Sequence, residues 1–440
     1  MPAIIVGGGW AGLAAAIELT RHHMPVVLLE SAGQLGGRAR TVHYRDRHID
    51  NGQHLILGAY RETLRLLKAM GIDERDVFER HRLKLQIRAS GHPDTRITLP
   101  RLPAPLHVIF GLAAARGLSA YDRWCGLKMC FALISTHPIT KTDISVYELL
   151  DQQGQTDKII KTLWQPLCLA MLNTPIATAS AEIFIKSLKD AFANHRNDSD
   201  LLHARSNLGG ILPEPAHRYI EQQGGTIRLN ARVKNLHIEH NKIHGVELAD
   251  SEVVESSHVI LAVPPASCKS LLEPHPAMSG LTALLSQMDH VPICTVYLQY
   301  PSSTYLKLSP MGSVDTAAQW IFDRAGYGQP GLMAVVISSD GPHMRMNNME
   351  LRQQVIREVA GMFPDWPEPD ESFVIREKQA TFLCRKGINT IRPATTTPVA
   401  GCLLAGDYTA TEYPATLEGA VRSGIKAAQY IIKDEASSLR

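Results

Sequence analysis

Gly7, Gly9 and Gly12 stand in the spacing GxGxxG, directly after the apolar run 3–6 and directly before a helix-forming stretch, residues 13–20. Strand, tight turn and helix in that order can bind a diphosphate. Gly7 lets the chain turn sharply, Gly9 lets the backbone approach the phosphates, and Gly12 lets the helix pack against the strand. The helix start, with Trp10 and Ala11, turns unpaired N–H groups and the positive end of the helix dipole towards the anion. A second apolar run, 26–29, ends in Glu30, about 18 residues past Gly12 and near the spacing expected of an acid that bonds ribose hydroxyls. An acid there disfavours a 2′-phosphate. The pattern predicts a dinucleotide site, and not one for NADP.

Residues 31–40 read SAGQLGGRAR, with Gly36, Gly37 and Arg38 at the centre. Glycine permits close approach, and arginine makes charge-assisted hydrogen bonds to phosphate. Far along the chain another buried-strand pattern, 403–405, runs into Gly406-Asp407, followed by TLEGAVRSG from Thr416. These segments resemble those of the amine oxidase and phytoene desaturase superfamily of flavoproteins. The resemblance implies FAD as cofactor, with Gly36, Gly37 and Arg38 along its diphosphate and ribityl chain and Asp407 on a ribityl hydroxyl. It also implies a helix whose start, at Thr416 and Leu417, faces the pyrimidine ring and favours an anionic reduced flavin. Pro414 stands where such a helix could begin. In the middle of the chain, strand patterns at 225–233, 242–246 and 259–263 with glycine turns read as hairpins. The same resemblance implies that the backbone of Val233 contacts the adenine.

The elements that must hold these residues belong to an α/β fold: a Rossmann-type FAD-binding domain with a mixed-sheet and helical substrate domain. Segments 1–60, 205–270 and 385–440 are expected to build the first, and 61–204 with 271–384 the second. A chain of 440 residues is too long for one core, which agrees with such a division. Hydrophobic residues at 45% and charged residues at 20% fit an ordinary globular protein, and a net charge of +2 gives no electrostatic case for nucleic acid. The seven cysteines are scattered, odd in number and never in CxxC spacing, as for reduced thiols in a core. The 19 histidines form no metal-ligand spacing, so no metal is expected. No apolar run reaches the length of a bilayer span. The sequence opens without the pattern of a signal peptide, so a cytoplasmic setting is expected.

Two longer stretches carry a finer resemblance. Residues 50–63 read DNGQHLILGAYRET, and 405–424 read AGDYTATEYPATLEGAVRSG; between them stand Trp164-Gln165-Pro166-Leu167 and Asn173-Thr174-Pro175. Together they resemble the squalene-associated flavoproteins, the hydroxysqualene dehydroxylases of bacterial hopanoid synthesis, over nearly the whole chain. That resemblance implies reductive loss of an allylic hydroxyl from hydroxysqualene to give squalene and water. A dry site is needed so that water does not return to the cation. His54, oriented by Asp50, is the expected helper of hydroxyl departure; the alternative is that Asp50 and Asn51 shape a turn and His54 bonds the backbone. Trp164, Tyr408 and Tyr413 are expected to line the substrate site.

A C30 isoprenoid sits in a bilayer, so a membrane surface is an expected partner, with the enzyme peripheral on the inner face of the cytoplasmic membrane. Contact with the upstream prenyl synthases would suit hand-over of an insoluble intermediate. An apolar helix over 106–118, then Ser119 as N-cap with Asp122 and a second helix carrying Trp124 and Phe131, with basic residues among them, has the composition of an interfacial hairpin. The alternative is a buried hairpin. Two other functions use the same fold: a carotenoid desaturase running the flavin in the oxidising direction, and a prenyl-binding protein without flavin.

Overall fold

The computed structural model describes residues 1–89, 92–135, 139–140 and 142–438. Short, mostly apolar runs become a five-stranded parallel sheet in the order Thr226–Arg228, Val26–Leu29, Ala3–Val6, Val259–Leu261, Cys402–Leu404. These strands are apolar without alternation because both faces are covered. The first helix, Trp10–Arg21, is buried nearly all round. It packs so tightly against the last helix, Leu417–Ser438, that a Cβ on Gly424 would lie 2.0 Å from the carbonyl oxygen of Ala11. Residues 61–81 share this core through Leu66, Leu67, Val77 and Phe78, although they were assigned from sequence to the second unit.

The second unit is built on a seven-stranded mixed sheet. Its order is Glu371–Phe382, His290–Gln299, Leu332–Ser338, Trp320–Asp323, Met311–Val314, Lys84–Ala89, His92–Thr98. Pairing is antiparallel except between Met311–Val314 and Lys84–Ala89. Helices including Ala120–Ile134, Val146–Gln152 and Ala181–Phe192 pack beside it over a shared core.

Several local expectations need correction. The apolar helix from Leu106 ends at Ala113, because Arg116 leaves it to bridge to Arg96 and Gly117 takes φ +81°. Ser119 does cap the next helix through a reciprocal capping box with Asp122. The hairpin between Val233–Glu239 and Lys242–Leu248 turns not on glycine but on His240 and Asn241, both at positive φ, as a two-residue turn matched to strand twist requires. The last helix starts at Leu417 rather than at Pro414, with Thr416 Oγ1 accepting from Gly419 N–H at 3.1 Å.

Candidate functional site

One cavity of about 1180 Å³ runs between the two sheets. At one end it is walled by backbone. The first helix has Gly9 as N-cap, no side-chain cap and no acid in its first turn, so its leading N–H groups face the cavity without an intrahelical acceptor. Gly9 and Gly36 form a bridge, and Gly37 sits at φ +60° with its missing Cβ 3.0 Å from the Cα of Gly9. Gly12 does not face the cavity. A Cβ there would lie 1.9 Å from the Gly7 carbonyl oxygen, so its role is helix–strand packing. Glu30 is held by Gly8 N–H at 2.6 Å and Ala32 N–H at 2.8 Å, with further lone pairs free to accept from a diol. Trp10, Ala11 and Val233 line the same end.

Next along the cavity, Arg38 Nη2 donates to Asp407 Oδ1 at 2.5 Å and its Nη1 to the Ala380 carbonyl at 3.0 Å. Thr416 and Leu417, at the start of the last helix, line the wall with Gly406 and Tyr408. Arg392 lies behind them. Its guanidinium is buried without a carboxylate partner among the described residues and donates to the carbonyls of Asp407 (2.8 Å) and Tyr413 (2.7 Å) and to Thr411 Oγ1 (2.7 Å). Burial lowers it to about 10, so it keeps its charge at neutral pH and clamps the loop that follows Asp407. Backbone donors, an uncapped helix start and a fixed diol acceptor fit an FAD diphosphate and ribose. Arg38 and Asp407 fit the chain that joins them to the ring.

The other end is walled by side chains. Leu169, Met171, Leu172, Ile293, Trp320, Phe322 and Val336 make it apolar. Asn173, at φ 49°, pins this wall: its amide donates to Thr381 Oγ1 at 2.9 Å and to the Pro292 carbonyl at 3.2 Å, and accepts from Ser339 N–H at 2.6 Å.

His54 lines the cavity, and its ring makes no hydrogen bond among the described residues. Burial pushes it down to about 4, so the imidazole is neutral at physiological pH. Asp50 does not orient it, which corrects the sequence expectation. Asp50 points away from the cavity and is spent on Arg324 (2.9 Å) and Leu208 N–H (2.7 Å). Arg324 is fully buried and also donates to Gln53 (2.6 Å), Asn207 (2.8 Å) and Gln329 (2.6 Å). Asn51 accepts from Arg40 N–H at 3.1 Å and donates to the Arg38 carbonyl at 2.9 Å. The DNGQH stretch is thus a staple joining the Arg38 loop to the second unit, and it holds His54 at the cavity wall.

Trp164 and Tyr413 are likewise not brought to the cavity. Trp164 is buried as the last residue of a π-helical turn, Ile160–Trp164, with its Nε1 on Gln155 Oε1 at 2.8 Å, and Tyr413 gives its hydroxyl to Asp190. Sequence reasoning missed Arg324, Arg392 and Thr381. No local spacing marks them, and only their contacts reveal them.

Comparisons with known proteins agree with this geometry. The flavin containing amine oxidoreductase family matches residues 10–432. A hydroxysqualene dehydroxylase of Sinorhizobium fredii is 27% identical, with 98% of each chain covered. A 15-cis-phytoene desaturase of Solanum lycopersicum is 24% identical over 98% of this chain and 77% of its own. Among solved structures, cyclohexylamine oxidase from Brevibacterium oxydans matches over 99% of both chains at 16% identity with a TM-score of 0.71. An oxidoreductase from Methanosarcina mazei reaches a TM-score of 0.77 at 15% identity, covering 98% of this chain and all of its own. These last two show a shared fold. With nearly its whole length matched, the chain belongs to the flavin containing amine oxidoreductase family and is a flavin-dependent oxidoreductase.

Proposed function

We propose that this protein binds FAD in the glycine cradle and reduces hydroxysqualene to squalene and water, in bacterial squalene and hopanoid synthesis. The observation that carries the reading is the continuity of one cavity from a backbone cradle suited to a diphosphate to an apolar wall suited to a long hydrocarbon. Full-length likeness to three hydroxysqualene dehydroxylases, which are covered over 97–98% of their own length, supports the direction of the reaction. Reduced FAD, when bound, supplies the hydride that replaces the hydroxyl.

The chain's own part is to bind, orient and keep water out. The apolar wall excludes water from an allylic cation. His54, neutral through burial, holds the substrate hydroxyl by a hydrogen bond and has no imidazolium proton to give at neutral pH. Desaturation of a polyene is the second reading, supported by the phytoene desaturase match.

The membrane surface belongs to the same proposal. Among the described residues no helix is long and apolar enough to cross a bilayer. The helices Leu106–Ala113 and Ala120–Ile134 instead expose Phe110 (55%), Trp124 (58%), Phe131 (50%) and Tyr121 (66%) beside Arg123. Such a face suits an interfacial position on the inner leaflet, where prenyl synthases upstream would release their insoluble product.

The test is anaerobic incubation of photoreduced, FAD-loaded protein with hydroxysqualene and gas chromatography for squalene. Squalene with stoichiometric flavin reoxidation is expected. No squalene, with flavin reduced by phytoene instead, would establish the second reading.

A further inference from the structure

Gly312 stands inside the strand Met311–Val314, paired with Trp320 on one side and with Ile87 on the other. Glycine weakens a strand interior and often marks a place where another group comes close. Here that group is an indole. A Cβ on Gly312 would lie 3.2 Å from Trp320 Cζ3, 3.3 Å from Trp320 Cη2 and 3.2 Å from Ile87 Cγ1. Cζ3 and Cη2 form the outer edge of the indole, far from the Trp320 backbone. Directly paired residues share a face with Cβ positions about 5 Å apart, so an upright indole would hold that edge well above the sheet. The ring therefore leans across the neighbouring strand and rests on Gly312. Trp320 lines the cavity, whereas Gly312 does not.

The sheet places this pair at the end of the cavity away from the cofactor cradle. The strand Glu371–Phe382, whose Ala380 carbonyl bonds Arg38, stands three strands away from Trp320–Asp323. At ordinary strand spacing that is about 14 Å across the sheet. The helix Gln165–Leu172 packs over Met311–Val314 and contributes Leu169, Met171 and Leu172 to the same apolar wall. Asn173 ends that helix and ties it to the Pro292 carbonyl and Thr381 Oγ1. Helix and sheet are thus fastened to each other. A ring lifted off Gly312 has no room on the sheet side, where Ile87 is fully buried, and must move into the cavity.

We infer that Gly312 sets the length of hydrocarbon chain that the cavity accepts, as a positioning residue acting through Trp320. The inference rests on the reading of the apolar end as the seat of a long isoprenoid, and it holds for either direction of the flavin reaction. The bare Cα lets the indole lie flat and leaves the far end of the cavity open. Any side chain there raises the ring and shortens the space. A long chain loses contact at its far part, while a short one that ends nearer the cofactor is spared.

The test uses FAD-loaded, oxidised protein, with visible absorbance reporting the cofactor. Equilibrium partition of radiolabelled squalene, and of farnesene at half its length, reports affinity. Gly312→Val should keep FAD and lose about tenfold for squalene, the burial of about two methylenes, with no more than about a twofold loss for farnesene. Adding Trp320→Leu should return squalene affinity to within about twofold of wild type, because the smaller side chain leaves room for the valine. Gly312→Ala should shift the ratio of the two affinities in the same direction by about threefold, and it decides the matter if the valine variant loses FAD or fails to fold. Unchanged squalene affinity, an equal loss for both hydrocarbons, or a loss that Trp320→Leu does not relieve would overturn the inference and leave the functional reading standing. A wild type that binds neither hydrocarbon overturns the reading of the apolar end, and the inference falls with it.

Discussion

The two ends of the cavity are made of different material. The cradle end consists of backbone: glycine Cα atoms, helix-start N–H groups and one carboxylate held by main-chain donors. The apolar end consists of side chains from separate strands and helices, held in place by Asn173 and Thr381. Backbone recognition needs a fixed local spacing and writes it into the chain. Side-chain recognition needs only that the right surfaces meet, and distant segments can meet in many ways. The first end suits a ligand with charges in fixed positions, and the second suits one with almost none.

Substitutions at the cradle separate its two uses of glycine. Gly12→Val puts a side chain into the Gly7 carbonyl, with its Cβ at 1.9 Å, and soluble folded protein should be lost. Gly9→Val has open space, its nearest neighbour being the Gly37 Cα at 3.8 Å, and Gly9 has φ −76°. It should fold with an unchanged melting temperature and purify colourless, because the side chain occupies the place of the diphosphate. A yellow Gly9→Val protein would remove the cradle from the cofactor site.

Arg324→Met tests the staple between the ends. It leaves Asp50 buried without its partner, and a loss of about 3–5 kcal/mol in denaturant unfolding is expected. Asp50→Asn should cost less, since the amide oxygen still accepts from Leu208 N–H and Arg324 keeps its bonds to Gln53, Asn207 and Gln329. Equal stabilities for Arg324→Met and wild type would show that the staple holds nothing.

His54 gives a pH signature. Its folded value lies near 4, against an ordinary value of 6.5. The unfolded chain therefore binds a proton at pH 5 that the folded chain refuses. Stability from this group is complete above pH 6.5 and is lost as the pH falls towards 4, by on the order of 2 kcal/mol. His54→Gln should flatten that part of the pH–stability curve measured by urea unfolding, and an unchanged slope would place the imidazole in water.

The exposed face carries the smallest stability effect. Phe110→Asp with Trp124→Asp should change stability by no more than about 0.5 kcal/mol, since both residues are more than half exposed. Sedimentation with anionic liposomes should nonetheless fall by about tenfold or more. Unchanged liposome binding would move the membrane contact elsewhere on the molecule.

Much of the cradle was legible because each of its parts is local. Gly7, Gly9, Gly12 and Glu30 were read from spacing, and Gly36 to Arg38 and Gly406-Asp407 from the resemblance that their short motifs carry; all except Gly12 line the cavity. The parallel sheet was legible for the same reason, since its strands are short and mostly apolar. Asp50 was misread because a carboxylate two residues from a glycine looks like a turn or a catalytic partner; its true partner, Arg324, lies 274 positions away. Trp164 and Tyr413 were misplaced because aromatic residues near a site pack behind it as readily as in front.

The salt bridge from Arg38 to Asp407 joins residues 369 positions apart, and the strand before Asp407 completes the sheet that the strand before Gly7 begins. In terms of synthesis, the ribosome must make the whole second unit before the cradle has its far wall. The opening strand–helix–strand waits through that interval with the sheet open at the Val259–Leu261 side and with the first helix lacking the last as its cover. Loop-closure entropy grows only slowly with such a span, but contacts of this order form late. Completion of the cradle therefore waits on synthesis of the strand Cys402–Leu404, and a ribosome stalled before it holds a chain that has the diphosphate motif without a complete place to put the flavin.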